Sequence, residues 1–324
     1  MLNILLVGCG NIGSRHLQSL LKSKNQSIIS VIDPKLKNIE NEIDNYSQSN
    51  NGKFHQINRY EDLTNLPAII DILIIATNSN IRIDIIKKIF LTRNPKYTIL
   101  EKFLFQNRED FYTAKDIFFK KNSSVWVNQP ILHQKSYQEI ASYFKSSKEL
   151  SMTVSGGNWG LCCNSVHYIE LFDHLTRRQS KIHVSKTKFK KILKSKRPGF
   201  YEIIGKIELK TNNQSNLTLE TNDKIHDPAC FMNIDDGQNK VKIKFIDNKI
   251  YCDFLIEEKK ISKNYVNLYQ SEMTAEVVNS LIKNSKCSLP TYLTSMKQHL
   301  TLIDPFKDFF IKNNVITEEE VPIT

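Results

Sequence analysis

A glycine triplet sets the strongest limit on how this chain can fold. Residues 6–16 read Leu-Val-Gly-Cys-Gly-Asn-Ile-Gly-Ser-Arg-His, directly after the apolar residues Ile4 and Leu5. Gly8, Gly10 and Gly13 thus fall between a short apolar strand and an amphipathic segment. A second apolar run, Ile28–Ile32, ends at Asp33, 20 residues past Gly13. Strand, tight turn, helix, strand and acid in this order form the fingerprint of a dinucleotide site. Gly8 permits the sharp turn, Gly10 lets backbone approach a pyrophosphate, and Gly13 lets helix and strand pack closely. The helix start at Asn11, Ile12 and Gly13 offers free N–H groups to the phosphates. Asp33 accepts from ribose hydroxyls and repels a 2′-phosphate, so NAD is expected over NADP. Lys35 and Lys37 follow closely enough to soften that preference.

Beyond the fingerprint, strands are expected at 2–7, 27–33, 72–76, 97–101 and 124–128, with helices at 12–23, 60–65, 80–91 and 107–120. This alternation predicts a doubly wound parallel sheet. The segment Asp71-Ile-Leu-Ile-Ile-Ala-Thr77 reads as a buried strand. Ligands sit beyond the C-terminal strand ends of such sheets, which puts Ala76, Thr77 and Asn78 at the cofactor. Asn128 and Gln129, after the fifth strand, are placed to reach its nicotinamide side. The second half changes character. Helices are expected at 136–146, 162–176, 268–284 and 291–313. Alternating segments at 150–155, 181–192, 201–210, 215–220, 240–246 and 249–257 predict an open, mostly antiparallel sheet. The expected division is therefore a cofactor-binding domain at 1–125 and a second domain at 126–324, an α/β chain throughout.

Composition excludes several classes. A length of 324 residues suits two domains. No apolar run reaches the ~20 residues that span a bilayer. The chain enters its first strand almost at once, leaving no room for a signal peptide, and a cytoplasmic protein is expected. Cys9, Cys162, Cys163, Cys230, Cys252 and Cys287 lack metal spacing and read as reduced thiols, and the eight histidines form no ligand cluster, so no metal is expected. The net charge of +11 invites a nucleic-acid reading. Its densest block, Lys181–Arg197, holds eight Lys or Arg and no acid, but lacks interleaved stacking aromatics. It reads as a solvated or edge-guarding strand face, or as a basic lip for an anionic small substrate. Neither specific nucleic-acid nor membrane binding is expected.

Four places together resemble the Gfo/Idh/MocA family of nicotinamide-dependent oxidoreductases. They are Gly8-Cys-Gly10-Asn-Ile-Gly13-Ser-Arg-His16, Ile74-Ile-Ala-Thr77, Glu101-Lys102-Phe103 and Trp159-Gly-Leu-Cys-Cys-Asn-Ser-Val-His167. The resemblance implies an N-terminal Rossmann domain, a C-terminal α/β domain with an open sheet that makes 126–324 the substrate-binding and oligomerisation domain, a homodimer or homotetramer, and Glu101 and Lys102 beside the cofactor. Two positions depart from the family's pattern. Cys163 stands where an Asp four residues before the His is usual, and Phe103 replaces a proline. A cis bond before a non-proline residue costs about 3 kcal/mol, so a trans Lys102–Phe103 bond is expected. Ser195–Glu202, Trp159–Leu161 and Ser271–Glu276 are similar to a branch acting on sugar nucleotides or acidic sugars in surface-polysaccharide biosynthesis.

What the resemblance implies for chemistry is a hydride passed between nicotinamide and a sugar carbon, with a base for the hydroxyl proton. Lys102, at a strand end, is suited to hydrogen-bond a substrate hydroxyl, with burial and the nicotinamide charge lowering its pKa. His167 is suited to take the proton as a neutral imidazole. Cys163 and Asn164 lie three to four residues before it, so at least one shares its helix face. Asn164 can orient a hydroxyl, while Cys162 and Cys163 read most simply as small buried hydrophobes. Trp159, Arg197 and Tyr201 complete the substrate set, with Arg197 and Tyr201 suited to a phosphate or carboxylate. Arg15 and His16 are either ligand contacts or ordinary helix surface. Other substrates in the same frame are an inositol, a free sugar or an imine. The rival from another class is a non-catalytic NAD-binding sensor or scaffold.

Overall fold

A computed structural model describes residues 1–49, 55–178, 180–224, 230–316 and 320–324. Its elements in chain order are β1 (Leu2–Val7), α1 (Asn11–Leu21), β2 (Ser27–Ile32), α2 (Leu36–Ser49), β3 (Gln56–Tyr60), β4 (Ile72–Ile75), α3 (Ser79–Thr92), β5 (Tyr97–Glu101), α4 (Arg108–Lys120) and β6 (Ser124–Asn128). A short 3-10 turn, Pro130–His133, leads to α5 (Lys135–Tyr143), β7 (Ser151–Gly156), α6 (Leu161–Leu175), β8 (Ile182–Lys194), β9 (Tyr201–Thr211) and β10 (Asn216–Thr221). The chain continues through β11 (Phe231–Asp235), β12 (Lys240–Ile246), β13 (Lys249–Ile256), β14 (Lys259–Val266), α7 (Gln270–Asn284) and α8 (Tyr292–Lys312).

The chain divides into two compact units. The first comprises Met1–Asn128 and Leu268–Leu293, the second Gln129–Asn267 and Thr294–Thr324. This differs from a single cut at 125/126, because α7 returns to the first unit. Val277, Val278 and Leu281 of α7 are buried in one core with Leu17, Leu20 and Leu21 of α1 and Ile4 and Leu6 of β1. Complete burial of each such side chain stabilises by about 1.5–3 kcal/mol, which outweighs sequence distance.

In the first unit, six strands in the order β3-β2-β1-β4-β5-β6 form an all-parallel sheet. Reversal of the strand order at β1 and β4 opens a crevice at their C-terminal ends, where ligands bind in sheets of this kind. All four residues of β4 are buried, as a continuous apolar run in a parallel sheet requires. The helix expected over 60–65 is absent. Tyr60 ends β3, and Asp62 Oδ1 accepts from the backbone N–H of Thr64 at 2.8 Å, a local turn that competes with helix formation.

The second unit is built on an eight-stranded sheet in the order β14-β13-β12-β11-β7-β10-β9-β8. Every neighbouring pair is antiparallel except β7 with β10. The basic block falls on β8, an edge strand, with Lys186, Lys188, Lys190, Lys191 and Lys194 exposed, so it guards a sheet edge. Near the C-terminus Glu320 is exposed, while Glu318 and Glu319 lie outside the described residues. Among the described residues, no helix is long and apolar enough to cross a membrane.

Candidate functional site

In the first unit the glycine loop is fixed by what surrounds it. Gly8 has φ +92° and donates its N–H to Ile32 O at 2.8 Å. A Cβ there would lie 2.9 Å from Ala76 O, and one on Gly13 would lie 1.9 Å from Gly8 O. Side chains at both positions would split α1 from the sheet. A Cβ on Gly10 would meet nothing within 4 Å. α1 starts beside this open space without a side-chain cap and without an acid in its first turn. Its first N–H groups, on Asn11, Ile12 and Gly13, have no partner within the helix, the arrangement that receives anions.

Asp33, 7 % exposed, holds the other side of the loop. Its Oδ2 accepts from Cys9 N at 2.7 Å and its Oδ1 from Lys35 N at 2.8 Å. One carboxylate therefore ties the glycine turn to the end of β2. Ala76 and Thr77 follow β4, and Asn78 stands at the N-cap of α3 without a side-chain cap bond. The Thr77 hydroxyl is buried without a hydrogen-bond partner, a polar atom left for a ligand. Open space at Gly10, uncapped amides, an orphaned hydroxyl and a carboxylate at the next strand end fit a dinucleotide.

At the end of β5 lies a buried polar cluster. Glu101 Oε1 is 2.8 Å from His16 Nε2 and also accepts from the Asn128 side-chain amide. His16 Nδ1 is 2.9 Å from Thr274 Oγ1, and Asn128 Nδ2 donates to Gln270 Oε1 at 2.8 Å. Burial alone would raise the Glu101 pKa. The hydrogen bond and charge of His16, the Asn128 amide and the charge of Lys102 outweigh it and hold the carboxyl below its ordinary value. His16 is thus neither helix surface nor a free ligand group, whereas Arg15 is exposed and bonded to Gln18 at 2.9 Å. Gln129, fully buried, donates to Val166 O at 2.6 Å within the second unit.

Lys102 follows directly and is half-buried. The Lys102–Phe103 bond is cis, not trans as expected. Phe103 is fully buried, and the carbonyls of Phe103 and Leu104 both accept from the Arg82 guanidinium. These contacts select the peptide's orientation, which intrinsic preference alone did not predict.

In the second unit, Gly160 (φ +86°) turns the chain into α6. Cys163, Asn164 and His167 are half-buried while Cys162, Ser165 and Val166 are buried. The first three thus share one partly open face, and both neighbours of His167 reach it. Asn164 Nδ2 donates to Trp159 O at 2.6 Å. The Trp159 indole donates to Glu220 O at 3.0 Å and meets Tyr168 edge-on at 5.1 Å. α6 has no acid in its first turn. Its leading amides are served by Glu202 of β9, whose Oε2 accepts from Cys162 N at 2.7 Å and Oε1 from Cys163 N at 3.2 Å. Sequence reasoning missed this residue as a functional group. The available signal was an acid directly before the apolar pair Ile203-Ile204 in β9.

Tyr201 is not brought to that face. Successive side chains on a strand point to opposite sides. Glu202 faces α6, and the Tyr201 ring instead lies 6.2 Å from Phe310 of α8. Arg197 sits half-buried in the turn closed by Phe200 N to Arg197 O at 3.2 Å. Among the described residues, no group of three His, Cys, Asp or Glu could hold a metal ion.

Residues 2–129 match the model of the oxidoreductase family with an NAD-binding Rossmann fold, Gfo/Idh/MocA. No curated protein matches the chain in sequence. Solved structures match along nearly its whole length. An oxidoreductase from Agrobacterium radiobacter, in complex with NAD+, L-tartaric acid and magnesium, is 13 % identical with a TM-score of 0.73, covering 93 % of this chain and 94 % of that one. UDP-N-acetylglucosamine 3-dehydrogenase from Acidithiobacillus ferrooxidans is 11 % identical with a TM-score of 0.70, covering 92 % and 94 %. A super-repressor mutant of Gal80p from Saccharomyces cerevisiae is 11 % identical with a TM-score of 0.69, covering 97 % and 96 %. At these identities the likeness is one of fold.

Proposed function

We propose an activity for this chain, whose residues 2–129 match the model of the Gfo/Idh/MocA oxidoreductase family: hydride transfer between NAD and a hydroxyl or keto group of a sugar, sugar nucleotide or acidic sugar. The observation that carries it is the glycine loop, with Gly10 opening on free space, uncapped α1 amides beside it and Asp33 bracing its far side. NAD, when bound, supplies the hydride acceptor or donor. The amides at Asn11, Ile12 and Gly13 receive its phosphates, and Asp33 takes the adenosine ribose hydroxyls. Ala76, Thr77, Asn78, Glu101 and Asn128, at the ends of neighbouring strands, complete the cofactor set. The Asp33 carboxylate favours NAD over NADP.

On the substrate side, Lys102 donates to the reacting oxygen and His167 takes or returns its proton. Asn164 and Trp159 orient the sugar, and Arg197 meets an anionic group. Surface-polysaccharide biosynthesis is the setting that the stretches around Trp159, Ser195 and Ser271 support. The six cysteines form no disulfide, which suits a reducing cytoplasm, and a homodimer or homotetramer is proposed, to be read from light-scattering mass.

A second reading is an NAD-binding sensor or scaffold without turnover. Cys163 in place of the usual Asp and the shared fold of a Gal80p super-repressor mutant favour it. One experiment separates the two. Thermal midpoints are measured with NAD, NADH, NADP and NADPH, each with and without a panel of sugar nucleotides and acidic sugars, and shifting pairs are then assayed for NADH formation or loss. A shift with NAD or NADH that grows with one sugar class, together with turnover, supports the oxidoreductase. A shift without turnover on any sugar favours the sensor, and no shift with any dinucleotide overturns both.

A further inference from the structure

Arg82 lies in the first turn of α3 and is 1 % exposed. A cation there is an expensive choice. Burial strips its hydration, and the helix N-terminus already carries partial positive charge. An apolar side chain of similar volume would serve packing as well or better. What the guanidinium does instead is bridge two loops. Nη1 donates to the carbonyls of Phe103 and Leu104, the latter at 2.6 Å, and Nη2 donates to the carbonyl of Thr77. Thr77 follows β4 and Phe103 follows the β5 end, and β4 and β5 are adjacent parallel strands.

We propose that Arg82 is a positioning residue for the reaction. Its rigid fork locks the turn that presents Lys102 to the loop that carries Thr77, so the lysine is held at a fixed place relative to the cofactor site. The proposal rests on the reading that Lys102 meets the substrate. Only a planar group with several donors in fixed geometry can hold three carbonyls from two loops at once. Lysine offers a single point. Its effect on rate comes through geometry, because small displacements of a group that contacts the reacting atoms cost large factors in turnover.

The test compares Arg82→Lys and Arg82→Met in two backgrounds, the natural chain and Lys102→Ala. NADH fluorescence titration and thermal unfolding establish that each variant is folded and binds cofactor. Both substitutions are expected to lower kcat by about 10- to 100-fold where Lys102 is present, and by less than about threefold where it is absent. Equal losses in the two backgrounds overturn the proposal, as does an unchanged kcat in Arg82→Lys. A readout independent of turnover is the rate at which Lys102 is acylated by acetic anhydride, followed by mass spectrometry. A rate altered more than about threefold in Arg82→Lys, with the other lysines unchanged, supports the bridge, and an unaltered rate overturns it. If Lys102→Ala itself leaves turnover intact, the assignment of Lys102 falls, and the acylation rate still decides whether Arg82 positions it.

Discussion

His16 and Glu101, 85 residues apart in sequence, meet at 2.8 Å in the interior of the first unit, with only 1 % and 6 % of their surfaces exposed. The pair joins the helix that follows the glycine loop to the strand end that precedes Lys102. Removing the imidazole would strand a buried carboxylate, so His16→Ala is expected to destabilise by about 3 kcal/mol, read by denaturant unfolding. His16→Gln, which keeps a donor, should lose less. A loss under about 0.5 kcal/mol in His16→Ala would show that solvent reaches Glu101.

The same carboxylate sets an acid limit. Its folded pKa is held below the ordinary glutamate value by His16, Asn128 and Lys102 acting against burial. A lowered folded pKa adds stability that is complete above the unfolded value of about 4.3 and is lost as pH falls through the folded one. Stability measured from pH 7 to pH 3 should therefore decline at the acid end, and Glu101→Gln should decline less steeply there. Parallel curves for the two proteins would remove Glu101 from the account.

On the proposed reading, Asp33 carries the choice of cofactor. Asp33→Ser removes the charge that repels a 2′-phosphate while keeping a small acceptor at the end of β2. The natural chain should favour NAD over NADP in kcat/KM by roughly tenfold or more, about 1.4 kcal/mol, and the variant should narrow that ratio. The serine cannot serve both Cys9 N and Lys35 N, so part of the loss with NAD will reflect a looser glycine turn. A natural chain that prefers NADP would sink the argument.

Legibility in the sequence followed the physics of each element. β1, β2 and β4 are mostly buried parallel strands, so they appear as short, predominantly apolar runs. The glycines announce themselves because side chains at Gly8 and Gly13 cannot fit. β3 and β14 are edge strands with mostly exposed or half-exposed residues, and they carry too little apolar pattern to be seen. α2 was legible in principle, since Leu36, Ile39, Ile43 and Tyr46 repeat at helical spacing, but its Asn-rich surface masks the stripe. The return of α7 to the first unit leaves no local trace, because an amphipathic face does not say which core it joins. Glu202 and Arg82 act through backbone groups brought close only by folding, which no spacing rule encodes. Tyr201 and Glu202, adjacent on β9, point to opposite sides of the strand, and the alternation in sequence does not say which side meets α6 and which meets Phe310.

The thiols test whether a cysteine acts as base. Burial raises Cys9 to about 12, Cys252 to about 12, and Cys230 and Cys287 to about 11. Burial also raises Cys162, helped by the neighbouring Glu202 charge. These five should stay protonated at neutral pH and react slowly with Ellman's reagent until the protein is unfolded. Cys163→Ser should keep kcat within about threefold, because the proton is assigned to His167 and not to the thiol. A loss beyond about 100-fold would make Cys163 a participant.

Glu202 supplies the cap that α6 lacks. Glu202→Gln keeps an oxygen that can accept from Cys162 N or Cys163 N but removes the charge that favours a helix N-terminus. Glu202→Ala leaves both amides without that partner in a buried setting. The expected losses of stability are about 1 kcal/mol for the first and about 2 kcal/mol or more for the second. Hydrogen exchange locates the effect: amides in the first turn of α6 should exchange faster in Glu202→Ala, while those of β4 in the other unit should not. Loosening of that turn also frees the backbone that carries Cys163 and Asn164 beneath His167, so turnover should fall more in Glu202→Ala than in Glu202→Gln. If the two variants lost stability equally and exchange at α6 did not change, the two carboxylate–amide bonds would have no role in holding the helix.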